Sequence, residues 1–256
     1  MTVTYDYAGK RVLVTGGTRG LGAGIAHAFA AAGADVVICA RNPAPASSGV
    51  PLPTGAAGGR IRFVRADVRD ADDVERLFDG LDRLDVVVNN AGGSPYANVA
   101  ESSARLHRRV LELNLLAPLL VARRAHPLLA ASGGSVIMIG SVSGVRPSPG
   151  TSAYGAAKAG LHHLAACLAA EWAPAVRVNT VVVGLARTEE AAGHYGGAFG
   201  QVAATIPAGR MATAEDVAAA CLWLAAPGYV TGAQILVHGG GETPAWNWLT
   251  SDEISR

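Results

Sequence analysis

Short runs of hydrophobic residues, rich in β-branched side chains, recur along the chain. Seven of them predict β-strands, at residues 11–16, 35–40, 61–66, 85–90, 135–140, 176–183 and 234–239. Most runs are continuously apolar instead of alternating, which is typical of parallel strands that are covered on both faces. The pattern therefore predicts a buried parallel sheet.

Segments rich in Ala and Leu separate the strand runs and have a helical hydrophobic period. They predict helices at about 20–32, 71–82, 101–131, 153–173 and 214–226. Strands that alternate with helices favour an α/β Rossmann fold, a doubly wound parallel sheet with helices on both faces. Because half of the 256 residues are hydrophobic, we expect a single domain, residues 1–256.

Three stretches interrupt this alternation. Residues 41–60 are so rich in Pro, Gly, Ser and Ala that we expect a flexible loop. Residues 185–210 follow a strand and combine glycines with a weak helical pattern, which predicts a mobile lid. The tail from about 242 to 256 contains Trp246 and Trp248, which we expect to pack on the body or on a neighbouring subunit.

Charge and cysteine content narrow the class of protein. A formal net charge of +1 gives no field that favours nucleic acid or a membrane surface as a partner. The three cysteines, Cys39, Cys167 and Cys221, are far apart, which predicts free thiols in a reducing compartment. The first residues resemble neither a signal peptide nor a membrane span, so we expect a cytoplasmic protein.

The first strand run ends in a glycine-rich turn. The segment RVLVTGGTRGLGAG predicts a strand, a turn with Gly16, Gly20 and Gly22, and then a helix. The free N–H groups at the start of such a helix can bind a pyrophosphate. The spacing is TGxxxGxG instead of the general GxGxxG, so by itself the motif leaves an ordinary turn as an alternative.

The end of the second strand bears on the choice of dinucleotide. An acidic residue there would bind the ribose 2′-hydroxyl of NAD, whereas an arginine accommodates the 2′-phosphate of NADP. The sequence has Ala40 and then Arg41, while Asp35 lies at the opposite end of the strand. Arg19 and Arg41 together can clamp a phosphate, which predicts NADP(H), with NAD(H) and two solvated arginines as alternatives.

Polar and small residues also follow the third and fourth strands. Asp67 ends the third strand, where its carboxylate can accept a hydrogen bond from an adenine amino group. Asn89, Asn90, Ala91 and Gly92 end the fourth strand, where small residues allow the backbone to approach a ribose. A plain turn remains an alternative for this second segment.

Tyr154 and Lys158 form the most specific pattern in the chain. They are four residues apart in a predicted helix, so they share one face, and Lys158 is one of only two lysines among 21 basic residues. A phenol with a pKa of about 10 is a poor base at neutral pH, and a nearby ammonium favours the phenolate. Arginine cannot easily pass a proton, so the pair indicates acid–base chemistry.

Two further polar residues complete the candidate site. Ser141 ends the fifth strand, where its hydroxyl can donate a hydrogen bond to a substrate carbonyl. Asn114 lies in an otherwise apolar helix and needs a partner if it is buried. A satisfied structural amide is therefore an alternative for Asn114.

These motifs together resemble the short-chain dehydrogenase/reductase family, in its branch of chains of roughly 250 residues. The resemblance spans about residues 9–240 and rests on TGxxxGxG, NNAG, Asn114, Ser141 and YxxxK. It implies that Tyr154 is the general acid in reduction and the base in oxidation, while Ser141 orients the carbonyl. It also implies that Lys158 lowers the pKa of Tyr154 and holds the nicotinamide ribose, and that Asn114 anchors a water of the proton relay.

The resemblance also implies the cofactor contacts, no metal, and a homotetramer in which helices 101–131 and 153–173 pack between subunits. The implied contacts are Gly16, Thr18, Arg19, Gly20, Leu21, Gly22, Arg41, Asp67, Val68, Asn90, Ala91, Gly92, Tyr154, Lys158, Gly184 and Thr188. The sequence departs from the family pattern at two places. Val183 replaces the first residue of the usual Pro-Gly pair, and the 41–60 loop stands where relatives often carry a helix, beside Arg41.

The sequence therefore predicts an NADP(H)-dependent enzyme that interconverts a secondary alcohol and a carbonyl compound. The alternatives are an NAD(H)-dependent alcohol dehydrogenase of the same family and a non-catalytic nucleotide-binding regulator, which does not need Tyr154. A methyltransferase on a related sheet has no use for the Tyr–Lys pair.

The substrate is a small molecule of open identity. Its pocket is expected from residues 93–98, 142–150, 183–206 and the tail. Five apolar side chains in these segments suggest a pocket that is more apolar than charged, although they could equally face the core. They are Val142, Val145, Val183, Tyr195 and Phe199. A 3-oxoacyl thioester, a ketosteroid-like ring ketone and a small polyketide carbonyl all remain open.

Overall fold

The computed structural model describes residues 4–43, 59–188 and 198–244. Within them, seven strands form one sheet, and every neighbouring pair is parallel. The strand order is β3-β2-β1-β4-β5-β6-β7. The predicted doubly wound α/β fold is therefore confirmed. Because the order reverses between β1 and β4, a crevice is expected at their carboxyl ends.

The strands lie close to the predicted hydrophobic runs. They are β1 Arg11–Thr15, β2 Asp35–Ala40, β3 Arg60–Arg65, β4 Val86–Asn89, β5 Ser135–Ser141, β6 Arg177–Val183 and β7 Gln234–Val237. The last strand ends at Val237 and not at 239, because a glycine run with positive φ follows His238.

The helices differ more from the prediction. They are α1 Gly20–Ala31, α2 Ala71–Leu77, α3 Ala104–Leu111, α4 Ala117–Ser132, α5 Ser152–Trp172, α6 Phe199–Ala204 and α7 Ala214–Ala225. The predicted helix at 71–82 ends at Leu77, since Gly80 adopts a φ of 76° that is incompatible with helix. The predicted helix at 101–131 is two helices joined by a π-helical turn, Glu112–Leu116.

Two hydrophobic layers cover the sheet. In β1, Leu13 contributes to the layer formed with α2, α4 and α5, whereas Val12 and Val14 contribute to the layer formed with α1 and α7. All three side chains are fully buried. Both faces of a central strand are therefore apolar, which explains why the run RVLVT does not alternate.

Parts of the predicted segments lie outside the described residues. This holds for 44–58 of the predicted flexible loop, for 189–197 of the predicted lid, and for the tail from 245 onward, including Trp246 and Trp248. Of the three cysteines, Cys39 and Cys221 are buried free thiols, and Cys167 is half-buried. Across the described part of the chain, no helix has the length and apolarity that crossing a membrane requires.

Candidate active site

A cleft of about 430 Å³ runs along the carboxyl edge of the sheet. It is lined by the turn after β1 and by residues at or beyond the ends of β2 to β6. Every cofactor contact that the resemblance implied lies on its wall, from Gly16 to Thr188. The cleft also includes residues that sequence reasoning did not select, among them Cys39, Ala66 and Ile139. Cys39 and Ile139 lie in strands and Ala66 directly follows one, and the hydrophobic pattern of these segments indicates only burial.

The glycine-rich turn packs tightly against the end of β4. Gly16 has a φ of 65°, and a Cβ on Gly22 would overlap the Gly16 carbonyl oxygen and the Asn90 amide. The Asn90 side chain donates to the Thr15 and Gly16 carbonyl oxygens, at 2.9 and 3.2 Å. The residue at the N-cap of α1, Arg19, forms no side-chain cap hydrogen bond. The glycines thus bring helix N–H groups close to the cleft, an arrangement that fits a pyrophosphate.

The part of the cleft that follows β2 and β3, its far end, is bordered by positive charge. Arg41 is exposed directly after β2, and Arg65 Nε donates to the Arg41 carbonyl oxygen at 3.2 Å. Asp67 accepts two hydrogen bonds from the Arg69 guanidinium, with Nε at 2.9 Å from Oδ1. These bonds, with a smaller effect of Arg41, hold the pKa of Asp67 below its usual value. The Asp67 carboxylate is thus ionised and already paired.

Tyr154 and Ser141 meet at the near end of the cleft. Ser141 is the last residue of β5, Tyr154 lies in the first turn of α5, and the two side chains share a hydrogen bond. Burial raises the pKa of Tyr154, and the hydrogen bond with Ser141 offsets only part of that rise. The lowering of this pKa that the sequence predicted is therefore not found.

The position of Lys158 explains this difference. Its side chain is buried, and Nζ donates to the Ile139 carbonyl oxygen at 2.8 Å. Nζ lies 5.6 Å from the centroid of the Tyr154 ring, on the same helix face but without a hydrogen bond to the phenol among the contacts described. Burial lowers the pKa of Lys158 to about 8. Its ammonium therefore favours the Tyr154 phenolate less than the spacing suggested.

Asn114 lies behind the cleft, within the π-helical turn, and is fully buried. Its amide nitrogen donates to the carbonyl oxygens of Gly93 and Val110, both at 2.9 Å, and its oxygen accepts from the Gly93 N–H at 3.0 Å. The side chain clamps the loop after β4. Its predicted role in a water relay stays a prediction.

His162 is a neighbour of the site that the sequence analysis did not select. It is buried one turn beyond Lys158, and its Nε2 accepts a hydrogen bond from the Ser141 N–H at 3.3 Å. Burial and the charge of Lys158 lower its pKa to about 4, so the ring is neutral. The sequence feature that could have pointed to His162 is its position four residues after Lys158.

A second cavity of about 640 Å³ opens beside Ser141 and Tyr154 and shares both with the cleft. Its described wall draws on the four segments that the sequence proposed for the substrate. Of the suggested apolar set, Val142 lines this cavity, Val183 lines the cleft, and Val145 and Phe199 line neither. Tyr195 lies outside the described residues.

Known proteins resemble this chain over nearly its full length. A family model described as enoyl-(acyl carrier protein) reductase matches residues 16–242. The chain is 35% identical over 246 residues to 3beta-hydroxysteroid dehydrogenase 1 of Eggerthella lenta, covering 92% of this chain and 94% of that protein.

Solved structures agree with the sequence comparison. A short-chain type dehydrogenase/reductase from Mycobacterium marinum has a TM-score of 0.84 at 32% identity, covering 93% of this chain and 98% of that chain. The Pseudomonas aeruginosa RhlG/NADP active-site complex has a TM-score of 0.82 at 33% identity, covering 94% and 99%. The similarity thus extends over more than nine tenths of this chain.

Proposed function

The chain belongs to the short-chain dehydrogenase/reductase family, and we propose that it uses NADP(H) to interconvert a secondary alcohol and a carbonyl compound, with Tyr154 moving the proton. Family membership makes it an oxidoreductase that acts on CH–OH or C=O groups. One observation carries the proposal: Tyr154, Ser141 and Lys158 meet at one end of a cleft whose other end is bordered by Arg41.

The proton chemistry follows from the two hydroxyl groups at the near end. A nicotinamide cofactor held in the cleft would supply or accept the hydride. The Ser141 and Tyr154 hydroxyl groups are neighbours, so a substrate oxygen that replaces their mutual hydrogen bond can accept a hydrogen bond from each. Because burial raises the pKa of Tyr154, the phenol carries its proton at neutral pH. It is therefore ready to donate that proton to a carbonyl oxygen and, in the reverse reaction, accepts it back.

Lys158 connects the phenol to the interior of the cleft. With a pKa of about 8, its amine exchanges protons more readily near neutral pH than an ordinary lysine does. A Cβ on Gly92 would lie 3.3 Å from Lys158 Nζ and 2.7 Å from Asn114 Oδ1. The absence of that Cβ keeps space open for a ribose hydroxyl between the loop after β4 and the lysine.

The arginines at the far end support NADP(H) over NAD(H). Arg41 follows β2 and Ser141 ends β5, with β1 and β4 between them in the sheet. Three strand spacings separate the two ends by about 14 Å. Arg19 also lines the cleft, so two arginines lie on the wall on which a 2′-phosphate would be bound. The similarity to the RhlG/NADP complex supports the same choice.

The decisive test replaces Tyr154 by Phe, with Tyr229→Phe as the matched control because Tyr229 is fully exposed. We expect Tyr154→Phe to lower kcat by about 10²–10⁴-fold while NADPH affinity changes little, since only the proton-transfer group is removed. Steady-state oxidation of NADPH and NADH over a panel of ketones measures the first quantity, and NADPH fluorescence titration measures the second. Wild-type activity in Tyr154→Phe would refute the proposed mechanism.

A homotetramer and a cytoplasmic location remain part of the proposal. Large apolar side chains are exposed where α3 meets α4, at Leu111 and Leu116, on α7 at Trp223, and on the edge strand β7 at Leu236. Surfaces of this kind favour burial against other subunits.

A further inference from the structure

Polar side chains outnumber apolar ones among the residues that line the cavity beside Ser141 and Tyr154. Nine of its lining residues, counted over the part of the chain that the structure describes, carry a hydroxyl group. The same wall holds one arginine and one glutamate, Arg146 and Glu242. A pocket for a long acyl chain or a steroid is expected to present fewer hydroxyl groups, because a buried hydroxyl that finds no partner in the ligand costs binding free energy.

Three of these hydroxyl groups form a chain next to the proposed chemistry. Ser143 Oγ donates to Ser148 Oγ at 3.3 Å, and Thr151 Oγ1 donates to the same oxygen at 2.8 Å. The Ser143 N–H also donates to Ser141 Oγ at 3.2 Å, which joins the chain to the reacting end of the cleft. Since a hydroxyl rotates and can both donate and accept, this chain can adapt to a substrate that carries several hydroxyl groups.

An ion pair crosses the rim of the cavity. The Arg146 guanidinium, in the loop after β5, binds the Glu242 carboxylate, in the segment after β7. The Thr243 N–H donates to the Thr205 carbonyl oxygen at 2.7 Å and holds that segment in place. Because the two charges compensate each other, a substrate carboxylate gains little from Arg146 and is repelled by Glu242. A neutral diol, in contrast, can accept from the first and donate to the second.

The cavity also offers an apolar surface to a ligand, the ring of Tyr96. The Tyr96 ring lies over Gly150, where a Cβ would overlap it, and the Ala97 N–H donates to the Gly150 carbonyl oxygen at 2.7 Å. The ring is 63% exposed and lines the cavity. An aromatic face beside hydroxyl groups suits a molecule with C–H and O–H groups on different sides.

We propose that the substrate of this enzyme is a neutral polyhydroxylated compound, a monosaccharide or a sugar alcohol. The inference rests on the oxidoreductase function proposed above and names its substrate class. In the oxidation, Tyr154 first loses its proton to solvent; the carbon that bears one secondary hydroxyl then gives its hydride to NADP⁺, the hydroxyl proton goes to the Tyr154 phenolate, and the C–OH group becomes C=O. The remaining hydroxyl groups of the substrate bind the hydrogen-bonded hydroxyl groups of Ser143, Ser148 and Thr151 and the Arg146–Glu242 ion pair.

The first experiment compares polyhydroxylated compounds with simple secondary alcohols. Wild-type enzyme is assayed with NADP⁺ and with NAD⁺ on ribitol, xylitol, the two arabinitols, L-fucose and D-glucose, and on 3-pentanol and cyclohexanol. We expect the best polyhydroxylated compound to exceed 3-pentanol in kcat/KM by at least about 100-fold, because unpaired polar groups in the site penalise the analogue. Equal or better oxidation of 3-pentanol or cyclohexanol overturns the substrate class and leaves the oxidoreductase function standing.

Binding without turnover separates the two proposals. The NADPH complex cannot oxidise an alcohol, so calorimetry on that complex measures affinity alone. If the polyhydroxylated compounds bind more tightly than 3-pentanol and none is oxidised, the substrate class is supported and the proposed reaction fails. If no polyhydroxylated compound binds more tightly than 3-pentanol, the substrate class is overturned.

A variant of Ser148 tests the hydroxyl chain itself. We expect Ser148→Ala to raise the KM of the best polyhydroxylated substrate by about five- to tenfold, with a smaller change in kcat, since one or two hydrogen bonds are lost. Ser152→Ala is the matched control, because Ser152 is exposed and does not line the cavity. The same KM in both variants contradicts the assignment.

The role of the Arg146–Glu242 ion pair is tested by comparing a charged ligand with a neutral one. Ribonate is ribitol with one terminal carbon oxidised to a carboxylate, and we expect it to bind the wild-type NADPH complex at least about tenfold more weakly than ribitol. Glu242→Gln leaves the Arg146 charge uncompensated, so the ratio of the two affinities should shift toward ribonate. Tighter binding of ribonate than of ribitol to the wild type overturns the argument for a neutral substrate.

Discussion

At the scale of single residues, His162 fixes the strand end that carries Ser141. Its ring is held between two glycines: a Cβ on Gly140 would lie 2.8 Å from Cδ2, and a Cβ on Gly144 would lie 2.8 Å from Cε1. The neutral Nε2 accepts the Ser141 N–H. His162 is therefore a positioning residue that acts on the chemistry through Ser141.

Replacing His162 by Leu removes the acceptor and leaves the Ser141 N–H without a partner. We expect a loss of about 1–3 kcal/mol in the free energy of unfolding and about a tenfold fall in kcat, with NADPH affinity unchanged. Gln supplies an acceptor, so His162→Gln should recover part of both losses. Urea unfolding and steady-state kinetics measure the two effects, and wild-type kcat in His162→Leu would contradict the positioning role.

Arg41 is the residue on which the cofactor proposal depends most. We expect Arg41→Ala to weaken NADPH binding by about 10- to 100-fold and to leave NADH binding nearly unchanged, because charge-assisted hydrogen bonds to the 2′-phosphate are lost. Fluorescence titration with both nucleotides measures this. The control is Arg62→Ala, since Arg62 is also exposed but does not line the cleft. Unchanged NADPH affinity would shift the phosphate contact to Arg19 alone or end the NADP(H) proposal.

At the scale of secondary-structure elements, Asp85 joins the amino ends of β1 and β4. Its carboxylate accepts from the Arg11 N–H at 2.9 Å, from Arg83 Nε at 2.9 Å and from Lys10 Nζ at 3.2 Å. Burial alone would raise its pKa, but the hydrogen bonds from Arg83, Arg11 and Lys10 outweigh burial and hold that pKa below its usual value. The ionised carboxylate thus stabilises the edge of the sheet opposite the active site.

The contribution of Asp85 depends on pH in a defined direction. Because its pKa is lower in the folded chain than in the unfolded chain, the stabilisation is complete above the unfolded pKa of about 4 and is lost as the pH falls through the folded pKa. We expect Asp85→Asn to lower the free energy of unfolding by about 1–3 kcal/mol at pH 7. Urea unfolding at pH 7 and near pH 3 should show this difference shrinking at the lower pH. A constant difference would exclude ionisation of Asp85 as its source.

The π-helical turn between α3 and α4 shows where prediction from local pattern stops. The apolar period through residues 101–131 predicts one helix, and the chain is helical over most of that range. At Asn114, however, the backbone widens for one turn, and the side chain binds Gly93, which is 21 residues away in the sequence. A periodicity cannot predict that contact, because the partner lies in a different segment.

At the scale of the whole molecule, the sheet and its two apolar layers account for the position of the cleft. The order of the strands reverses between β1 and β4, so the loops that follow these strands diverge and leave a crevice. Outside this core, Leu116, Trp223 and Leu236 remain exposed. They mark the surfaces on which the proposed assembly depends.

We expect light scattering after gel filtration to give a mass four times that of the 26.0 kDa chain. Trp223→Glu should lower that mass while leaving the circular dichroism of the fold intact, because the substitution places a charge on a surface side chain that is 45% exposed. Tyr229→Glu, at a fully exposed position, is the control. A monomeric wild type would refute the tetramer.

The sequence by itself determined the features that depend on neighbours in the chain. Continuous apolar runs determined the parallel strands, and the positions of the glycines determined the turn after β1. The spacing of four residues determined that Tyr154 and Lys158 share a helix face, because helix geometry alone fixes that relation.

Only the tertiary structure decided the features that depend on residues far apart in the chain or on burial. It brought Arg146 into contact with Glu242 and His162 into contact with Ser141, and it placed Asn114 within hydrogen-bond distance of Gly93. It also reversed the expected direction of the Tyr154 pKa, because removal from water acts on the phenol more strongly than the nearby lysine does. The free energy of a charge depends on its three-dimensional surroundings, and those surroundings exist only once the chain has folded.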